Sequence, residues 1–151
     1  MKKILLILAL ASTLVGYTQA ISVNTNTYTV PQLVNAVLIN SPCVSAQNVT
    51  SRTGTNFGSS NGIGFFQNTN PNFPMQSGVI MSTGNVMNAM GPNTTALSDG
   101  SANWPGDTDL QNTLLQAGIT MNSVNATVLE FDFTSISPTF SFDFLFASEE
   151  Y

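Results

Sequence analysis

The chain has 151 residues, one cysteine, no histidine, and eight acidic side chains against three basic ones, for a formal net charge of −5. Without histidine there is no Ser-His-Asp triad, no Cys-His pair and none of the usual histidine-bearing zinc sites. With so few lysines and arginines, the chain has neither the cations that grip a phosphate backbone nor a basic patch for anionic lipid.

Residues 1–20, MKKILLILALASTLVGYTQA, place Lys2 and Lys3 before an apolar run and end on small residues, the pattern of a secretory signal peptide. The apolar run is shorter than the roughly 20 residues that span a bilayer, which disfavours an uncleaved anchor, and no later segment could serve as a span. The expectation is an exported chain beginning near Ile21, secreted or displayed at the cell surface. Its 131 residues suffice for one domain with a real core. Loss of the two signal lysines leaves Arg52 as the only cation against eight carboxylates, a net charge of −7.

The stretch TVPQLVNAVLIN sets Leu33, Val34, Val37 and Leu38 at i, i+1, i+4 and i+5, with Pro31 near the start, and predicts a short helix over residues 31–39. CVSAQNVT and GIGFFQ read as short strands bounded by Gly, Asn and Ser. Cys43, an odd cysteine in an exported chain, has three readings: a partner beyond residue 151, an intermolecular bridge, or a buried thiol acting as a small hydrophobe. Val79 to Met81 form a compact apolar strand that turns at Ser82-Thr83-Gly84, and Met81, Met87 and Met90 are expected to fill gaps in the core.

GDTDLQNTLLQAG predicts a second helix, with Asp107 as N-cap, Asp109 in the first turn where the helix dipole favours it, and Gly118 as the stop. Just before it, Trp104 has two readings, an indole stacked on the apolar face of a sugar or a ring folded over the edge of the core. Asp99, Asp107 and Asp109 fall within eleven residues among Gly, Asn and Ser. Calcium takes six to eight hard oxygens, and Asp-x-Asp loops can present them, although the helix-loop-helix calcium pattern is missing. The alternative is a set of solvated and capping acids.

The last stretch alternates with period 2. Leu129, Phe131 and Phe133 oppose Val128, Glu130 and Asp132; Phe140, Phe142, Phe144 and Phe146 oppose Ser141, Asp143 and Leu145. The linking TSISP suits an antiparallel hairpin. If Phe133 pairs with Phe140, Glu130 lies opposite Asp143, and a two-residue slip puts Asp132 there instead. Opposed carboxylates need abundant water or a cation between them, which makes Glu130 and Asp143 a second candidate calcium cluster. Glu149 and Glu150 are adjacent on an extended segment and point to opposite faces, so they do not flank one glycosidic bond. So dense an aromatic face needs a second layer opposite it. The fold class is therefore mainly β, an antiparallel sandwich or jelly-roll-like arrangement with two short helices.

GVIMSTGNVMNAMGPN, then GDTDLQNTLL, ATVLEFDF and SFDFLFASEEY, in that order and spacing, resemble the choice-of-anchor L domain. The likeness covers roughly residues 28–151, and FASEEY is its most specific part. It implies an exported binding or adhesion module of bacterial surface and secreted proteins, notably those of gliding-type bacteria with type IX secretion, and brings no catalytic residues with it. It also implies that the domain continues beyond FASEEY, with an anchor or sorting segment downstream. The combined expectation is a non-enzymatic extracellular module whose ligand is a glycan or a surface protein, with Trp104 as the candidate contact. The alternative is a calcium-rigidified spacer that presents attached domains.

Overall fold

The computed structural model describes residues 21–42, 44–54, 61–97, 104–136 and 138–148. The expected signal peptide of residues 1–20, Cys43, Asp99, Glu149 and Glu150 lie outside the described residues. Within them five strands form two antiparallel sheets: β1 (Ile21–Asn24), β2 (Ala46–Arg52), β3 (Ile63–Asn68), β4 (Ser77–Met81) and β5 (Val128–Phe133). The strand orders are β1-β3-β4 and β2-β5. Helix α1 opens as Val30–Gln32 and continues as a π-helix over Leu33–Ile39, and α2 spans Thr108–Gln116. A 3-10 turn covers Val86–Met90. The fold is mainly β with two short helices, as the sequence predicts.

The start of α1 follows from local chemistry. The Thr29 hydroxyl accepts from the Gln32 amide at 3.4 Å, and the Gln32 side chain accepts from the Thr29 amide at 2.9 Å, a reciprocal cap. Further on, the Asn40 amide reaches back five residues to the Asn35 carbonyl at 3.1 Å, and Asn40 ends the helix at φ 42°. This wider turn alters the predicted apolar face. Leu33 and Val34 are buried, but Leu38 is turned outward while Ile39, five residues after Val34, is half-buried. Asn35 ties the helix to β2, its side-chain oxygen accepting from the Ala46 amide at 2.8 Å.

The first sheet carries the main core. Val23, Phe66 and Val86 are buried together, with Ile21, Phe73, Met75, Ile80, Met87 and Met90 packed against them. Met87 and Met90 thus fill gaps as expected. Met81 does not: it closes β4 opposite Ile63 and is 45% exposed, because the alternation of a sheet edge turns it to solvent.

The ends of four strands meet in a knot of hydroxyls. Thr53, just after β2, accepts from the Gly62 amide at 2.7 Å. Thr127, just before β5, donates to the Ser82 carbonyl at 2.6 Å, and the two threonine hydroxyls lie 3.4 Å apart. Ser82 in turn donates its amide to the Gly62 carbonyl at 2.8 Å. Beside the knot, Trp104 packs flat on Gly54, where a β-carbon would fall 2.2 Å from the indole. Trp104 is 1% exposed, and its Nε1–H donates to the Ala126 carbonyl at 2.9 Å.

The expected hairpin is also overturned. β5 pairs antiparallel with β2, with Ala46 opposite Phe133 and Thr50 opposite Glu130, and not with residues 140–147. Those residues join no strand ladder, and Phe140, Phe142, Phe144 and Phe146 are 66–84% exposed. Both segments have the right alternation, but β2, seven residues of mostly polar sequence, takes the β5 edge and the tie between Asn48 and Asp132 holds it there. Period 2 marks a strand without naming its partner.

Because only a glycine leaves room under the indole, Gly54→Ala is expected to cost about 1–3 kcal/mol by overpacking. Trp104→Ala is expected to cost about 3–5 kcal/mol by leaving a cavity. Urea denaturation of each variant checks both, and a neutral Gly54→Ala would refute the close contact.

Candidate functional site

Asn48 sits at φ 51° within a β-bulge, where the pairing of β2 with β5 shifts register between Gln47 and Thr50. The extra residue swings its amide across the sheet, and Nδ2–H donates to the Asp132 carboxylate at 2.7 Å. Asp132 is thereby held in one orientation although it is exposed. Next to it, the paired ends of β2 and β5 open into a groove of about 310 Å³ lined by Ser45, Gln47, Asp132, Phe133, Thr134 and Ile136. Hydroxyl, amide and carboxylate groups make its rim. The Phe133 ring, 39% exposed, supplies an apolar wall.

Phe133 also begins a row of aromatic rings. It meets Phe140 edge to face at 5.0 Å between centroids; Phe140 stacks on Phe142 at 6.5 Å, and Phe142 tilts onto Phe144 at 6.3 Å. On its other side it touches Phe131 at 6.1 Å. The groove and the aromatic row are therefore one continuous surface.

Among the described residues, the acids singled out in the sequence are dispersed. Asp107 caps α2, accepting from the Leu110 amide at 2.9 Å, and its other carboxylate oxygen pairs with the Arg52 guanidinium. Arg52 also donates to the Gly106 carbonyl at 2.9 Å. Ser123 completes the cluster, accepting from the Asp107 amide at 2.8 Å and donating to the Asp107 carbonyl at 3.1 Å. Asp109 lies exposed in the first turn of α2. Glu130 lies opposite Thr50, so the expected confrontation with Asp143 does not form. Among the described residues no three acidic or other metal-ligating side chains converge. Trp104, fully buried, presents no ring face to solvent.

Gln47 and Ser45 were invisible as site residues in the sequence, and Asp132 entered only as an alternative partner for Asp143. Their convergence depends on the bulge, and a polar run such as AQNVTSR does not announce one. A short strand containing Asn, the non-glycine residue most at ease with positive φ, is the one signal that could have suggested it.

A family model described as the choice-of-anchor L domain matches residues 22–151. Comparison with curated proteins and with solved structures finds no match. Among the described residues, no helix is long and apolar enough to cross a membrane.

The Arg52–Asp107 pair stands at the surface, with Arg52 44% exposed, so its charge contribution is small. Arg52→Met is expected to cost less than about 1 kcal/mol. Asp107→Ala, which also removes the cap, is expected to cost about 1–2 kcal/mol. Denaturation curves of the two variants distinguish cap from ion pair, and equal losses would refute the assignment.

Proposed function

The chain belongs to the choice-of-anchor L domain family, a family of extracellular surface-protein modules, and from that premise we propose that it is a non-enzymatic module that binds a glycan in the groove at the end of β2 and β5. The observation that carries this reading is the pairing of an oriented carboxylate with an exposed aromatic wall. Asp132, held by Asn48, offers acceptor capacity to sugar hydroxyls, Gln47, Ser45 and Thr134 add donors and acceptors, and Phe133 can pack against the apolar face of a pyranose. Export by residues 1–20 would deliver the module to the surface where such ligands occur. Sugar binding through a few hydroxyl contacts and one ring suits adhesion, in which many weak contacts act together.

A glycan array probed with the purified chain is expected to show retention on a defined set of sugars. Gln47→Ala and Asp132→Ala, both at exposed positions, are expected to weaken that retention about tenfold or more, the equivalent of roughly 1.4 kcal/mol, with an unchanged circular dichroism spectrum. Retention that ignores both substitutions would place the ligand elsewhere. Absence of retention, joined to a calcium-specific rise in melting temperature that needs Asp99, Asp107 and Asp109, would instead support the spacer role.

A further inference from the structure

Resting on the reading of the groove as a glycan site, we infer that the sugar it selects carries a free amino group, and that N-acetylated and uronic acid sugars bind less well. The ladder sets Gln47 directly opposite Asp132, so both side chains stand on one face of the sheet at the groove. Asp132 accepts from the Asn48 side-chain amide at Oδ2, at 2.7 Å, which orients the carboxylate and leaves its second oxygen for a ligand. Beside it the Phe133 ring is exposed. A carboxylate next to an aromatic face recognises an ammonium group, through a charge-assisted hydrogen bond and a cation–π contact. An ammonium brings three donors, and the Asp132 carboxylate, the Gln47 side-chain carbonyl and the Ser45 and Thr134 hydroxyls are acceptors lining the same groove.

The distribution of charge works against the opposite class of sugar. Apart from Asp132, the charged residues of the two strands are Glu130 and Arg52. Glu130 lies two residues before Asp132, on the same face of β5, and adds a second carboxylate there. Arg52, the only cation among the described residues, closes the far end of β2 opposite Val128. Along the strand it stands roughly 16 Å from Gln47, beyond the screening length of about 8 Å at physiological salt. Its guanidinium is already engaged by Asp107 and the Gly106 carbonyl. A uronic acid or sulfated sugar therefore meets carboxylates and no cation, and like charges brought together suppress binding. N-acetylation takes from the amine its charge and two of its donors, so an acetamido sugar keeps only the contacts that a neutral sugar makes.

The test is binding of the purified chain, at mildly acidic pH where a sugar amine is protonated, to matched oligosaccharides in the gluco and galacto series: free-amine, N-acetylated, neutral and uronic acid forms. The free-amine form of the recognised series is expected to bind about threefold or more tighter than its acetylated and neutral counterparts, with the uronic acid form weakest, and the advantage should shrink as salt is raised. Asp132→Asn, which keeps the shape and an acceptor oxygen, is expected to remove the preference while neutral sugars are still bound. Asp109→Asn, an exposed acid on α2 away from the groove, is expected to leave the preference intact. Both variants are checked for the near-ultraviolet signal of the buried Trp104, which reports folding. Binding that treats amine, acetamide and hydroxyl alike, or that favours the uronic acid, overturns this inference and leaves the glycan reading standing. Equal loss of preference in Asp109→Asn and Asp132→Asn assigns it to general attraction by an acidic chain and overturns it too. No binding to any sugar of either series or of the array overturns both.

Discussion

Where the strands end, four backbones must turn away from one another without leaving buried amides and carbonyls unpaired, and that constraint shapes the whole structure. Thr53, Gly62, Ser82 and Thr127 meet it together. Two hydroxyls accept or donate across the gap between the sheets, and glycine lets the chains approach where a side chain would collide with the Thr127 hydroxyl, 2.2 Å from a β-carbon at position 62. The same junction brings Gly54 under Trp104. From there the Trp104 carbonyl accepts the Asn125 amide and the Pro105 carbonyl accepts the Ala126 amide, both at 3.0 Å, so the loop leading into α2 is fastened to the strand leading into β5. A small set of hydroxyl and indole contacts thus orients both sheets and the second helix.

Charge is arranged around a scarcity. Arg52 is the only cation after residue 20, and it goes to the Asp107 cap and the Gly106 carbonyl, next to the Ser123 hydroxyl that braces the same turn. Its value is positional more than energetic, since a half-exposed ion pair contributes little. The remaining described acids, Asp109, Glu130, Asp132 and Asp143, are exposed. Asp132 is the instructive one: its partner is the uncharged Asn48 side chain, which restrains its geometry beside the groove.

The hydrophobic material is split between two tasks. Val23, Phe66 and Val86 with their methionine and aliphatic neighbours close the core of the three-stranded sheet. The phenylalanines after β5 do not join that core. They extend outward from Phe133 as a row, so the two-stranded sheet carries an aromatic surface larger than its own two strands can cover. Groove and row meet at Phe133, whose ring lines the one and begins the other.

Much was legible in the sequence because it depends on neighbours along the chain. The N-cap at Asp107, the reach of α2, the turn at Ser82-Thr83-Gly84 and the β character of GIGFFQ and VLEFDF follow from local hydrogen bonding and periodicity, and the order of the FASEEY-containing motifs pointed to the family before any fold was in hand. What the sequence left undecided is every pairing between distant residues. Alternation in VLEFDF suited a hairpin with residues 140–146 as well as a ladder with β2, and only the tertiary structure chose β2. A tryptophan before a helix suited solvent and core alike, and only the empty space above Gly54 drew it inside. The groove rests on an asparagine bulge that joins residues 84 positions apart. Periodicity records which way a side chain faces, and burial and partner choice are properties of the folded surface that faces it.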